Sequence, residues 1–170
     1  MEVEINKMPN KLLKRKLKNL LSVAEKVETR INQLREELKE LEQSYELWAQ
    51  YLFLFVVFNR INEVLIEANK EPFDRKNIKG CRDALAHPEV TSLPFARPID
   101  VDEKREYLSI AKEEGRKRNR NGGKIIYPPF EHWLMEFDVS DPENRKLVAS
   151  YLTETLDGLK QHIKGLKIEL

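Results

Sequence analysis

The sequence predicts an all-α protein, and two observations carry that prediction. Between Lys11 and Glu71 the chain contains neither glycine nor proline, and apolar residues recur there at heptad spacing, which is typical of a helical seam. No stretch shows the even, glycine-punctuated alternation of a β-sandwich or a strand–helix–strand unit, and no internal repeat is present. The 170 residues are therefore expected to form one all-α domain over residues 1–170.

The first helical region is expected to break once. An unbroken helix of about 60 residues would be about 90 Å long, whereas a compact chain of this size has a radius of gyration of about 15 Å. The polar stretch EQSYE at 43–47 is the predicted break, with Ser44 as the candidate N-cap. A continuous rod remains the alternative, because the heptad register runs through this stretch before it shifts to Phe58, Ile61, Leu65 and Ala68. The heptad positions are Leu13, Leu17, Leu20, Ala24, Val27, Ile31, Leu34, Leu38, Leu41, Tyr45, Trp48, Leu52 and Phe55.

Three further helices are expected. Asp74 is placed to cap a short helix over residues 75–87. Residues 101–115 return to helical spacing, and the chain ends in a long helix for which Ser140 or Asp141 is the candidate cap.

Composition limits the functions to consider. Lys and Arg total 30 against 29 Asp and Glu, so the net charge of +1 predicts no long-range attraction to nucleic acid or membrane, and any such attraction must come from local clusters. The single Cys81 cannot form an intrachain disulfide, and the N-terminal residues contain no signal-like apolar stretch, so a cytoplasmic protein is expected. The most apolar stretch, WAQYLFLFVVF at 48–58, is shorter than the roughly 20 residues that cross a bilayer. We expect it to be core, with no membrane association.

The stretch KGCRDALAHPEV, residues 79–90, contains the side chains best suited to chemistry. On an ideal helix Gly80, Asp83 and His87 share a polar face, and the glycine would let a backbone or a ligand approach closely. Asp83 and His87 are four residues apart and can touch; an acid beside an imidazole orients it and raises its pKa. The opposite side, formed by Ile78, Cys81 and Leu85, is the predicted buried stripe.

Arg82 presents a geometric problem. It lies about 140° around an ideal helix from His87, so one straight helix would not bring the two together. Pro88 disfavours helical geometry at His87, which could swing aside, and a symmetric dimer could supply the missing neighbour from a second copy. The alternative is that Asp83 and His87 form a solvated surface pair, with the stem of Arg82 packed on the core.

The six residues Arg82 to His87 resemble the Arg-x4-6-His signature of the HEPN superfamily, in which a polar residue commonly follows the arginine. HEPN domains are antiparallel helical bundles, and their motif lies near the end of a helix that follows two longer ones. The resemblance implies a metal-independent endoribonuclease, acting as a homodimer with Arg82, Asp83 and His87 in a shared catalytic cleft. The resemblance also implies a toxin–antitoxin or defence system, in which a cognate antitoxin or regulatory protein is a further expected partner. Some HEPN domains lack activity.

The chemistry of RNA fits these residues. Its 2′-hydroxyl can attack the adjacent phosphate, so cleavage needs a proton acceptor, a proton donor and cations for the charged transition state. His87 and Arg82 supply those groups. Neither a metal nor another cofactor is expected, because His132 and His162 lie far apart in sequence without the spacing of metal ligands.

A basic loop at 116–124, RKRNRNGGK, contains no acidic residue. It is a candidate to hold RNA phosphates, and the alternative is an ordinary solvated loop. Its basic residues are Arg116, Lys117, Arg118, Arg120 and Lys124. A second basic run, KLLKRKLK at 11–18, is expected to line the solvent face of the first helix and is assigned no site.

Two other functional classes remain open. The heptads alone favour a non-catalytic helical interaction module, in which they form a coiled-coil dimer and residues 82–87 merely end a helix. An inactive HEPN-like domain that binds a protein partner is the other alternative. Activity on RNA separates both from a ribonuclease.

Overall fold

Four helices make up the part of the chain that the structure describes. The computed structural model describes residues 8–39, 41–86 and 146–170. The helices are α1 (Asn10–Glu37), α2 (Leu41–Glu67), α3 (Arg75–Ala86) and α4 (Lys146–Gly165). These residues contain no strand, so the all-α prediction is confirmed. The predicted helix over 101–115 and the candidate caps Ser140 and Asp141 lie outside the described residues.

The first helical region does break, but earlier than predicted. Helix α1 ends at Glu37, and Leu38 then takes an extended backbone with φ of −63° and ψ of 110°. The side chain of Gln43 accepts a hydrogen bond of 2.7 Å from the backbone N–H of Lys39, which closes the start of α2 much as a capping box does. The predicted break at 43–47 is therefore wrong, because Ser44 lies buried inside α2, and an unbroken rod is excluded.

This break also changes which face of the helix is buried. In α1 the heptad prediction holds, and its residues are buried, apart from Leu20, which is only partly so. In α2 the predicted register holds in part: Phe55 is fully buried and Trp48 and Leu52 are partly buried, whereas Tyr45 is 47% exposed and Leu47, Tyr51 and Leu54 are buried instead. The residues predicted after the register shift are all buried, namely Phe58, Ile61, Leu65 and Ala68.

Helices α1 and α2 pack against each other in antiparallel orientation. Near the start of α1 the ammonium of Lys16 lies 3.6 Å from the carboxylate of Glu67 at the end of α2. Toward the other end, Arg30 Nη2 lies 2.7 Å from Glu46 Oε1. These two contacts fix the direction of the pair. Surface ion pairs of this kind contribute only about 0–1 kcal/mol each, so the apolar interface supplies most of the stability.

Helix α4 runs antiparallel to α1. Its Lys160 forms an ion pair of 2.7 Å with Glu25 of α1, and the negative charge of Asp157 acts on Glu28 one turn further along. Its apolar face completes the core that the other helices share. The buried residues of that face are Leu152, Leu156, Leu159 and Ile163.

The connection between α2 and α3 is held by a buried asparagine. Asn62, 1% exposed, donates a hydrogen bond of 2.8 Å to the carbonyl of Phe73 and accepts one of 2.8 Å from its N–H. Both polar atoms of the amide are thereby satisfied inside the core, where an unmade bond would cost about 1–3 kcal/mol. Asp74 follows directly and stands in the predicted capping position before Arg75, where its carboxylate accepts a hydrogen bond from the side chain of Asn77.

Helix α2 is also long and apolar enough to cross a membrane, judged by length and composition alone. Half of its apolar window is buried in the protein, against α1 and α3. The core helix of a soluble protein passes the same test, so this property says little about membranes. Within the predicted core stretch 48–58, Tyr51, Phe55 and Phe58 are fully buried, whereas Phe53 is 49% exposed.

Candidate functional site at the end of helix α3

Helix α3 presents the buried stripe that its sequence predicts. Ile78, Cys81 and Leu85 are each 0% exposed and belong to the common core. Their spacing of three and four places them on one side of the helix. The burial of this side fixes the rotation of α3 about its own axis, and therefore the direction in which its polar residues point.

Both ends of α3 are tied to α2 by hydrogen bonds. The Asn62–Phe73 pair lies just before its start. Near its end, the indole Nε1–H of Trp48 donates a hydrogen bond of 3.2 Å to the backbone carbonyl of Leu85. The last four carbonyls of a helix have no partner within the helix, so Trp48 satisfies one that is partly buried. The end of α3, two residues before His87, is held against α2 by this contact.

Arg82 and Asp83 form an ion pair on this anchored segment. The Nε and Nη2 atoms of Arg82 lie 3.0 and 2.6 Å from the same Oδ1 of Asp83. The side chains are 29% and 39% exposed, so the pair lies at the boundary between core and solvent. Although adjacent helical residues diverge by about 100°, the long arginine side chain folds back far enough to reach its neighbour.

The ion pair leaves some N–H donors of the Arg82 guanidinium for another ligand. A guanidinium carries five N–H donors, and Asp83 engages two of them. A phosphate could be bound through the others, in the planar geometry that arginine offers to oxyanions. Because Asp83 also neutralises the charge, a phosphate at Arg82 would have to share the guanidinium with that carboxylate or replace it.

The structure thus brings together two of the three predicted catalytic residues. The predicted contact of Asp83 was with His87, which lies outside the described residues, so that contact stays a prediction. Gly80, the predicted close-approach position, is half-buried in α3. The predicted RNA-binding residues Arg116, Lys117, Arg118, Arg120 and Lys124 also lie outside the described residues.

The described residues offer no cluster of metal ligands. Within 8–39, 41–86 and 146–170, no three His, Cys, Asp or Glu side chains group closely enough to hold a metal ion. His162, in α4, has a structural contact: its Nε2 lies 2.7 Å from the backbone oxygen of Glu71. His132 lies outside the described residues.

Trp48 is the residue at this site that sequence reasoning missed. The sequence predicts that it packs in the core or in a dimer interface, and it does pack against the core, partly buried. Its hydrogen bond to Leu85 was not foreseen. The available signal was chemical: a tryptophan inside an apolar helical stretch brings an N–H that needs an acceptor when it is buried, and helix ends supply free carbonyls.

Comparison of the chain with protein-family models, with curated proteins and with solved structures finds no match in any of the three. The resemblance to HEPN domains therefore depends on residues 82–87 and on the helical architecture.

Proposed function

We propose that the protein is a cytoplasmic, metal-independent endoribonuclease of the HEPN type, which cleaves single-stranded RNA as a homodimer. The observation that supports this best is the Arg82–Asp83 pair on the last turns of α3. Trp48 anchors that segment to α2, so the end of α3 next to His87 is held in place. A site for phosphate chemistry needs such a rigid support, because small displacements of the reacting groups are costly.

Each residue has a defined role in the proposed reaction. One His87 accepts the proton of the attacking 2′-hydroxyl, and the protonated His87 of the second copy donates to the leaving 5′-oxygen. The Arg82 guanidinium stabilises the additional negative charge on the phosphate oxygens. Asp83 acts as a positioning residue, because its carboxylate holds the guanidinium at hydrogen-bonding distance. The products are a 2′,3′-cyclic phosphate and a free 5′-hydroxyl.

The decisive experiment compares the wild-type protein with His87→Ala on mixed single-stranded RNA in the presence of EDTA. We expect the wild type to cleave and the variant to lose about 10²–10⁴-fold in rate, the usual effect of removing a positioned acid or base. His132→Ala is the matched control and should retain activity. Cleavage that persists in His87→Ala would show that another site or a contaminant is responsible.

The homodimer is tested separately from cleavage. Light scattering should give about twice the chain mass of 20.1 kDa. A monomer at micromolar concentration that still cuts RNA would remove the proposal that two copies share one cleft.

A second candidate function, a non-catalytic interaction module, is favoured by one feature of α2. The aromatic and aliphatic side chains of Tyr45, Phe53 and Val56 are 47%, 49% and 43% exposed, and their spacing places them on one side of the helix. Contiguous exposed apolar surface of this kind often marks a protein interface. A protein partner such as an antitoxin would suit it. A wild-type protein that never cleaves RNA would leave this as the favoured function.

A further inference from the structure

Helix α1 carries a basic face on its first turns, formed by Lys11, Lys14, Arg15 and Lys18. At 100° per residue these four positions fall within an arc of about 100°, with roughly two cations for each turn of the helix. All four are exposed. The expectation that the run at 11–18 lines the solvent face of the first helix is therefore confirmed, and its cations are concentrated on one side.

Among the described residues, no carboxylate neutralises the charge of this basic face. None of its four cations forms an ion pair with a residue in the described ranges, and the first turn of α1 contains no acid. Lys16, within the same run, turns instead toward α2 and lies 3.6 Å from Glu67. Arg30, Arg60 and Lys160, which lie elsewhere in the bundle, do have carboxylate partners. In a chain of net charge +1, this is a local excess of positive charge.

The burial of the apolar side of α1 distinguishes between two kinds of anionic partner, a membrane and a nucleic acid. A helix that lies in a membrane interface needs its apolar face free to enter the lipid. Here that face is occupied, since Leu13, Leu17 and Leu21 are only 2%, 0% and 7% exposed and pack in the core. The basic face can therefore act only through charge at the surface, which favours a polyanion such as a nucleic acid backbone over insertion into a bilayer.

We propose that the basic face of α1 binds the phosphate backbone of single-stranded RNA, as a second anchoring surface distinct from the candidate site on α3. This inference rests on the proposed function, which supplies RNA as the polyanion. The four cations span about 10 Å along the helix axis, which matches about three steps of a stacked strand that rises about 3.4 Å per nucleotide. Contacts of this kind fix the position of the strand without reading its sequence.

The two surfaces lie toward opposite ends of the bundle. The basic face is at the end of α1 that pairs with Glu67, whereas Trp48 anchors the candidate site near the end that pairs with Glu46. Between Lys18 and Arg30 the helix rises about 18 Å. A stacked strand crosses that distance in more than five steps of about 3.4 Å. A stacked RNA of six nucleotides has only five steps, about 17 Å, and does not reach from one surface to the other, whereas an oligomer of about 20 nucleotides does.

The test measures binding of fluorescent oligonucleotides by anisotropy as a function of salt. The probes are a 20-nucleotide RNA, a 6-nucleotide RNA and a 20-nucleotide DNA of the same sequence, which lacks the 2′-hydroxyl. One variant changes all four cations of the basic face to Gln. The control variant removes four exposed lysines elsewhere, also by change to Gln, and so has the same net charge. Its positions are Lys26, Lys39, Lys164 and Lys167.

We expect the basic-face variant to bind the 20-nucleotide RNA and DNA about tenfold or more weakly at low salt, and to reduce the slope of log K against log salt by up to about 3. The control variant should change both much less. The ratio of 20-nucleotide to 6-nucleotide affinity should fall only in the basic-face variant. Equal losses in the two variants would overturn the inference, since net charge alone would then explain them. The inference would also be overturned if the wild type bound neither the 20-nucleotide RNA nor the 20-nucleotide DNA.

Two further outcomes separate this inference from its alternatives. Binding to vesicles of phosphatidylserine and phosphatidylcholine that is lost in the basic-face variant, with oligonucleotide binding unchanged, would overturn it in favour of a membrane surface. A wild type that never cleaves RNA, but whose affinity for the DNA probe depends on the basic face, would refute the ribonuclease and support the anchoring surface. Failure of one proposal is thus distinguishable from failure of the other.

Discussion

The indole Nε1–H of Trp48 donates a hydrogen bond of 3.2 Å to the carbonyl oxygen of Leu85, and so joins α2 to the last turn of α3. The two residues are 37 positions apart in the chain, and both contribute to the same core. The contact satisfies a carbonyl that the helix itself leaves free. It also holds the end of α3, so under the proposed function we expect cleavage as well as stability to depend on it.

Trp48→Phe should lower the free energy of unfolding by about 1–2 kcal/mol, since it removes one hydrogen bond from a partly buried carbonyl and some packing volume. Denaturation in urea measures this change. RNA cleavage should fall as well, under conditions in which the variant is fully folded. Tyr45→Phe is the control on the same helix, because it removes a polar atom from an exposed ring. If both variants match the wild type in stability, the indole hydrogen bond does not contribute to the anchoring of α3.

The Arg82–Asp83 pair allows the role of each residue in the proposed reaction to be separated. Arg82→Lys should lose most of the cleavage rate, because an ammonium keeps the charge but lacks the guanidinium fork that can hold Asp83 and a phosphate oxygen together. Asp83→Asn should be milder, since an amide oxygen can still accept from Arg82. Rates of RNA cleavage over a range of pH measure both variants.

The pH profile of Asp83→Asn distinguishes two roles for that carboxylate. If Asp83 acts on His87, as the sequence predicts, loss of its charge should move the profile toward lower pH, because a negative neighbour favours the protonated imidazole. If it acts only through Arg82, the rate should fall without a shift. If Arg82→Lys kept the full activity of the wild type, a guanidinium would not be required at position 82, whichever role Asp83 has.

The face that α1 buries could be predicted, because one regular helix keeps a constant phase along its length. In α2 the same extrapolation succeeded for Phe55, which is fully buried, but failed for Tyr45, which is exposed although it continues the heptads. The connection between the two helices sets the rotation of the second one, and the spacing of apolar residues does not encode that rotation. The pattern before the connection therefore predicts the phase after it only in part.

Side-chain reach explains what was missed at the candidate site. The angular positions of α carbons placed Asp83 with His87 and left Arg82 isolated, yet Arg82 donates two hydrogen bonds to Asp83. An arginine side chain is long enough to fold back over a neighbouring residue, so helical angles alone do not determine its partner. The tie between Trp48 and Leu85 depends on how α2 and α3 pack, which only the tertiary structure provides.

The partly buried carboxyl of Glu28 is expected to make the free energy of unfolding depend on pH. Burial raises the pKa of its carboxyl above the ordinary value of 4.5, and the charge of Asp157 raises it further, although Lys160 opposes them. Its Oε2 is buried and has no hydrogen-bond partner among the described residues. Ionisation of this group is therefore less favourable in the folded protein than in the unfolded chain. This unfavourable contribution is present above the folded pKa and disappears as the pH falls below the unfolded pKa.

Glu28→Gln should consequently stabilise the protein near neutral pH, and the difference from the wild type should close as the solution is acidified. Urea denaturation at a series of pH values measures the free energy of unfolding of both proteins. Glu36→Gln, at an exposed position of the same helix, is the control and should show no such pH-dependent gain. A Glu28→Gln difference that stays constant with pH would reflect packing rather than ionisation.

Gly158 in α4 lies against the ring of Phe73. This contact opposes the gain in stability that replacement of a helical glycine by alanine usually brings. A Cβ at position 158 would come within 3.0 Å of Phe73 Cε1 and closer still to Cζ. Replacing glycine by alanine inside a helix normally stabilises by about 1 kcal/mol, whereas overfilling a packed contact costs about 1–3 kcal/mol. The backbone of Phe73 is fixed by its two hydrogen bonds to Asn62, so the ring can move away only by rotation about its own side-chain torsions.

Gly158→Ala should therefore lower the free energy of unfolding, by about 1 kcal/mol, despite its better helix propensity. Gly165→Ala is the matched control: it lies at the end of the same helix with nothing within 4 Å of the added carbon, and it should be neutral or slightly stabilising. In the Gly158→Ala background, Phe73→Leu should cost less than it does alone, because the smaller side chain relieves the crowding. Urea denaturation of the four proteins in this cycle measures the coupling. Strictly additive effects would show that the two residues do not collide.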